Sequence, residues 1–293
     1  MSGEIEFLLT ALRTATPLAF VALGVLLAER AGVLLMGVEG VMLVGAFAGV
    51  LGAVTAGDPW TGVACGVAAG LAGGLVLALL TVWLPTDQVV MGLAFNIGCA
   101  GITSFAFRLT ASSTQKLTPP LALPEGLVPA ALAVVPPLAW LAIALGAGTW
   151  WFLQRTGPGL VLRSSGHSTH AARAAGIDVR AVRAAALAAA GALGGLGGAA
   201  LTVGWVRSFS DEITLGRGFI ALAAVYFARW RPGWTLAACL LFGAGEAAAF
   251  RAQGLGGNPH LYLMVPYMLT LAVVAITGRA RAPQEAGRPY LGS

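Results

Sequence analysis

Three polar side chains in this chain sit where polarity is costly. Glu39 lies in GVLLMGVEGVMLVGA, Asn96 in VVMGLAFNIGCAG and Glu246 in LFGAGEAAAF, each within a long apolar run. A group of this kind must face a cavity, a partner or a broken helix. Gly37, Gly40 and Gly45 surround Glu39 and favour a discontinuous helix. Broken helices are where transport proteins turn backbone groups toward a solute. Structural roles compete with that reading: Glu39 as a cap on a helix end or a partner of Arg30, and Asn96 as an interhelical hydrogen-bonder. The remaining chemistry is sparse. His167 and His170 lie one helical turn apart, but no third ligand of the right type accompanies them, so no metal site is expected. A phosphate-cradling loop needs a lysine after glycine, whereas the single lysine, Lys116, follows Gln115. No nucleophile and base share a recognisable spacing. The expectation is no catalytic residue, no metal and no cofactor.

The elements that position these residues follow from composition. Of 293 residues 58% are hydrophobic and 10% are charged, against about 25% charged in soluble domains. Lipid must therefore be the solvent for most of the chain, and apolar runs of this length point to an all-α polytopic membrane fold. Candidate spans are 8–28, 33–54, 61–84, 89–107, 128–152, 184–205, 213–229, 234–250 and 261–278. They form one transmembrane domain over 1–278, followed by a polar tail, 279–293. The seventh span is short, opens on Gly216-Arg217-Gly218, and could be a half-helix that enters and leaves by one face. Gly70, Gly73 and Gly74, with Gly191, Gly194, Gly195, Gly197 and Gly198, suit close helix packing in lipid. Cys65, Cys99 and Cys239 lie in apolar runs and read as small packing residues. The acidic start, MSGEIEF, argues against a cleaved leader. The 109–127 segment reads as an external connector. Trp83, Trp150, Trp151, Trp230 and Trp234 mark one interface, Trp60 and Trp205 the other, and Trp140 reads as a packing residue.

Between the two apolar halves lies a polar island, 155–183, with Arg155, Arg163, Arg173, Arg180 and Arg183 against one acid, Asp178. The net charge of +5 is spread between apolar runs and is no nucleic-acid footprint. Placing the island in the cytoplasm also puts Arg30, Arg229, Arg231 and the tail arginines inside, as the positive-inside rule requires. The N-terminus is then outside and the C-terminus inside. Ala171, Ala172, Ala174 and Ala175 favour a short helix, which Gly176 can end in a left-handed conformation.

At this point the chain resembles a family. ERAGVLLMGVEGVMLVGAFAG (29–49), DQVVMGLAFNIG (87–98), GHSTHAARAAGIDVRAVR (166–183) and GRGFIALAAVYFARWRPGW (216–234) are similar to stretches of permease subunits of bacterial ABC importers. These belong to the branched-chain amino acid, ribose and nucleoside class. The tail, APQEAGRPYLGS, is similar to ends seen in its nucleoside (simple sugar) subgroup. The chain departs from the pattern at Leu35-Met36, where the family has an Asn-x-Gly, at His170, where it has an acid, and at Ala228, where it has a glycine. The resemblance implies a type II importer-like permease of about nine transmembrane helices, some discontinuous, in the bacterial cytoplasmic membrane. It implies a substrate path near Glu39, Asn96, Gly37 and Phe219. It implies a coupling helix, with Gly166, His170, Ala171, Ala172, Ala175 and Gly176 meeting an ATP-binding subunit. Its further partners would be a second related permease, an external substrate-binding lipoprotein and membrane lipid. ATP hydrolysis would belong to the partner, and the cargo would be a nucleoside, with a simple sugar as the alternative. An ion- or proton-coupled secondary transporter using Glu39 and Glu246 is the competing class.

Overall fold

The computed structural model describes residues 3–84, 86–114 and 135–253, with the isolated positions 118, 121, 264, 268, 275, 283 and 285–287. Most of the expected ninth span (261–278), most of the 109–127 connector, Lys116, His260 and most of the tail lie outside the described residues. Ten helices make up the rest: α1 (Gly3–Arg30), α2 (Val38–Ala56), α3 (Pro59–Ala78), α4 (Gln88–Thr114), α5 (Pro137–Arg155), α6 (Gly157–His167), α7 (Thr169–Ala174), α8 (Val179–Leu201), α9 (Arg217–Phe227) and α10 (Pro232–Gln253). Wider turns prolong α3 through Leu79–Trp83 and α8 through Thr202–Val206. Six helices, α1 to α4, α8 and α10, are long and apolar enough to cross a membrane. α5 has 19 residues and starts at Pro137, a position where proline loses no helical hydrogen bond. It turns Trp140, Ile143, Trp150 and Trp151 outward, so Trp140 belongs to the exposed face and not to the packing core.

Sequence signals set the helix starts. The Asp58 carboxylate accepts hydrogen bonds from the Thr61 hydroxyl and amide, both at 2.7 Å, and opens α3. Those bonds, the hydroxyl's first, hold the Asp58 carboxyl below its ordinary range. In the polar island Thr156, Ser168 and Asp178 cap α6, α7 and α8 in turn. The island is therefore a string of capped helices, and α7 is the short alanine helix expected from the sequence.

α8 is the centre of the bundle, and its glycines explain why. Gly191 and Gly195 lie against the backbone of Gly70 and Gly74 on α3. Gly198 faces the Met42 carbonyl on α2, and Gly197 faces Pro17 and Val21 on α1. Gly66, Gly70 and Gly74 recur every four residues, so one glycine face of α3 seats directly on α8. A Cβ at most of these positions would strike backbone, which does not yield. In lipid, such backbone contact replaces the hydrophobic drive between helices.

α1 runs antiparallel to both α8 and α10. Gly24 meets Ala190 while Gly197 meets Pro17. Near the start of α1, Thr14 donates to the Gly243 carbonyl at 2.8 Å, and at its end Arg30 reaches Trp230. Residues 207–216 contain no helix, and α9 has 11 residues, or about 16 Å, roughly half of a hydrocarbon core. α8 delivers the chain to the side where α1 begins, and α10 leaves from the side where α1 ends. The 207–230 segment therefore crosses from one side to the other. Of the two readings, a short span or a half-helix returning by one face, the structure shows the first: α9 is one half of a broken span, because Trp230 anchors its far end at Arg30. Residues 31–37 form a second break, between α1 and α2.

Candidate functional site

The two breaks meet at Glu39. It is the second residue of α2, and its side chain reaches the start of α9. Oε1 accepts from the Gly216 amide at 2.8 Å and Oε2 from the Gly218 amide at 2.7 Å. α2 and α9 thus bring their N-terminal ends to one carboxylate. Each end carries unsatisfied N–H groups and a partial positive charge, so a carboxylate there is favourable. The surrounding GRG motif follows from geometry. Gly216 has φ +75°, which L side chains rarely adopt, and a Cβ on Gly218 would lie 2.6 Å from Glu39 Oε2. Of the two structural roles open to Glu39, the helix cap is the one realised; Arg30 is engaged elsewhere.

α4 supports the first break from the other side. Gln88, Gly92 and Asn96, four residues apart, form one face of α4. Gln88 Oε1 accepts from the Leu34 amide at 2.8 Å. Asn96 Oδ1 accepts from the Gly40 amide at 2.7 Å, and its Nδ2 donates to the Met36 carbonyl at 2.8 Å. Between them Gly92 allows the chain at Met36–Gly37 to lie on the helix; a Cβ there would be 2.6 Å from Met36 Cβ. Gly37 packs on Leu77 and Phe95. Phe219, one residue beyond Gly218, is exposed on the first turn of α9. The four residues assigned to the path, Glu39, Asn96, Gly37 and Phe219, thus gather around the two helix starts.

Several partners in this site were not read from the sequence. Arg217 forms an ion pair with Glu246 on α10 and lies over the Trp205 ring, 5.9 Å from its centroid. At the other end of α9, Arg30 Nε and Nη2 both donate to the Trp230 carbonyl, at 3.1 and 2.7 Å. The Trp230 indole N–H donates to Glu29, which is fully buried. Trp230 itself is buried, so it is not part of the interfacial belt to which its position in the sequence assigned it. The adjoining ERAG and ARWRP segments carried the signal: a charged pair closing one helix, and a tryptophan between two arginines.

The residues assigned to the coupling helix divide into two sets. His170, Ala171, Ala175 and Gly176 are exposed, while Gly166 and Ala172 are buried against their own chain. Gly176 has φ +78° and its amide donates to the Arg173 carbonyl at 2.8 Å, closing α7 as expected.

Residues 7–274 match the family described as branched-chain amino acid transport system / permease component. The chain is similar to the guanosine ABC transporter permease protein NupQ of Bacillus subtilis (strain 168), with 35% identity over 94% of this chain and 93% of the relative. It is similar to the nucleoside ABC transporter permease protein NupC of Lactococcus lactis subsp. cremoris, with 31% identity over 95% and 94%. It is also similar to the TsgC13 permease of Haloferax volcanii, provisionally assigned to glucose, with 32% identity over 94% and 92%.

Proposed function

Since the chain belongs to the family of branched-chain amino acid transport system permease components, we propose that it carries a nucleoside, or a related neutral polar solute, through the membrane as the permease subunit of an ATP-driven importer. It is a multi-pass membrane protein and a transport subunit. Its family implies an ATP-binding subunit and a substrate-binding protein as partners. A second, related permease chain completes the assembly in this reading.

One observation supports the neutral cargo. The charges at the two helix starts cancel among the described residues: Glu39 against two positive helix ends, and Arg217 against Glu246. A zwitterionic amino acid or an ion would call for an uncompensated charge of opposite sign. A nucleoside or sugar needs hydrogen-bonding groups and shape alone. The same pairing speaks against a secondary transporter, because neither carboxylate is held free to exchange a proton or an ion.

The test is uptake by the permease reconstituted with its ATP-binding subunit and binding protein. Labelled guanosine should accumulate only when ATP is supplied inside. Accumulation of glucose but not guanosine would move the cargo to the sugar class. Uptake by this chain alone, driven by an ion gradient, would overturn the reading.

A further inference from the structure

The contacts around Arg30 join the polar island to the broken span, and we propose that Arg30 is the positioning residue through which movement of α6 and α7 reaches α9. This rests on the importer reading above, in which the exposed face of α7 meets an ATP-binding subunit.

The chain of contacts begins at the end of α6. Gly166 lies directly on the Arg30 carbonyl, so closely that a Cβ would overlap it, and it also faces the Gly32 amide at 2.9 Å from that Cβ position. Gly32 returns the contact: its φ is +88°, and a Cβ there would be 3.1 Å from the Gly166 Cα and 3.0 Å from Arg183 Nη2. The Glu285 amide donates to the Gly166 carbonyl at 3.3 Å, so part of the tail lies on the same joint. Two glycines in backbone contact leave no soft side chain to absorb a displacement. α6 cannot shift toward the break without pushing the Arg30–Gly32 turn.

Arg30 passes that displacement on. Its guanidinium holds the Trp230 carbonyl with two donors, while the preceding Glu29 holds the indole of the same residue. Arg229 and Trp230 both sit in the left-handed region, at φ +51° and +56°, a conformation costly for residues with a Cβ. A double grip on a strained turn is a firm attachment. The turn follows directly on α9, and the polar contacts at the opposite end of α9 include the Glu39 cap and the Arg217–Glu246 pair. α9 is therefore a short rod gripped by polar contacts at both ends. Such contacts can exchange partners as a unit, as a two-state element requires. From α7 to the helix starts, the path runs through Ser168, Gly166, Arg30 and Trp230.

Arg30→Lys in the complete reconstituted complex tests this. Lysine keeps the charge but not the two-donor grip. Basal ATP hydrolysis should be unchanged, while solute moved per ATP falls about tenfold, the effect of losing one charge-assisted hydrogen bond. A maleimide probe on Phe219→Cys should change its labelling rate between nucleotide-free and ATP-bound complexes, and Arg30→Lys should abolish that change. Normal coupling in Arg30→Lys, or a labelling rate that ignores nucleotide in the parent, would overturn the proposal. If Arg30→Lys fails to assemble, Trp230→Phe applies the same readouts by removing the donor to Glu29, and unchanged coupling there counts against the relay. If the parent complex shows no ATP-driven uptake, the importer reading itself fails and the relay falls with it.

Discussion

Glu39→Gln should release the start of α9 without unfolding the protein. The amide keeps the shape of the side chain, so its oxygen can still accept from Gly216 or Gly218. Its NH2 group then faces the other amide, donor against donor. One charge-assisted bond is lost, at about 1.5–3 kcal/mol, and one backbone donor is left without an acceptor, at about 1–3 kcal/mol. The attraction of a carboxylate to the helix ends adds about 0.3–1 kcal/mol. These contributions overlap, and Glu39 is only part-buried, so about 3 kcal/mol is the working figure. At about 1.4 kcal/mol per tenfold change, the clamped arrangement loses about a hundredfold in population, while a typical fold of about 5–15 kcal/mol survives. Uptake should therefore fall far more than the amount of permease in the membrane. Hydrogen exchange at the amides of Gly216 and Gly218 should accelerate by a similar factor. Glu39→Asp provides the complement: it keeps the charge but retreats by about 1.5 Å, too far for both bonds, and should also fail. Uptake that declines only in step with abundance, or unchanged exchange at those amides, would refute this account of the clamp.

Further outcomes follow from the same geometry. Asn96→Leu strands the Gly40 amide and the Met36 carbonyl, at about 1–3 kcal/mol each, and proteolysis within 33–40 should rise while α8 remains protected. Gly195→Val drives a side chain into the backbone of Gly66 and Gly70; the cost should exceed the usual overpacking penalty of about 1–3 kcal/mol, seen as loss of detergent-extractable folded protein. At Gly176 a Cβ would meet nothing, so Gly176→Val should suffer only from its positive φ, leaving abundance near normal and uptake uncoupled from ATP hydrolysis, whereas Gly176→Asn, a residue that tolerates this conformation, should retain uptake. The Asp58 cap responds to acid. Its folded value lies below the unfolded one of about 3.9, so its contribution is complete above that pH and is lost as pH falls through the folded value; protection of the Thr61 amide should persist below about pH 3.9 and then vanish.

Much of the fold was legible because it rests on composition and small residues. Apolar length marked the helices, and the glycine clusters marked close helix packing, but that α3 and α8 are partners comes from the structure. Gly176 was equally readable as the end of α7, whereas the caps Thr156, Ser168 and Asp178 emerge only from the structure. The breaks were legible in kind, since Gly37 and the GRG motif announce them, but not in direction. Whether 213–229 returns or crosses depends on where Trp230 is anchored, and that is a contact across 200 residues. The pairings Glu39 with α9, Arg217 with Glu246, and Arg30 with Trp230 are of the same kind. A single sequence records each charge and its apolar setting, but not which distant group compensates it. Trp230 shows the resulting error most clearly: an indole beside arginines reads as an interfacial anchor until a buried carboxylate is found to accept its hydrogen bond.

The two kinds of contact divide the molecule mechanically. α2, α3 and α8 are held together by glycine backbones pressed against one another, and such packing has one good register. Sliding it by even part of a turn brings Cβ atoms onto carbonyls. α9 is held differently at its ends, although its middle is buried through Ile220, Ala221, Ala224 and Val225 and Gly218 lies on the Glu39 backbone. Its ends are fixed by Glu39, by Arg217 with Glu246, and by Glu29 and Arg30 at Trp230, all contacts that a small rotation can trade for water, solute or another partner. A permease must contain both a frame that does not yield and an element that does. The glycine-locked helices provide the first and the polar-clamped half-span the second. Glu39 stands at their boundary: its backbone belongs to the frame, through α2, and its carboxylate to the moving part, through α9. The path therefore should open or close by exchange of the hydrogen bonds on that one side chain, and not by repacking of the glycine core.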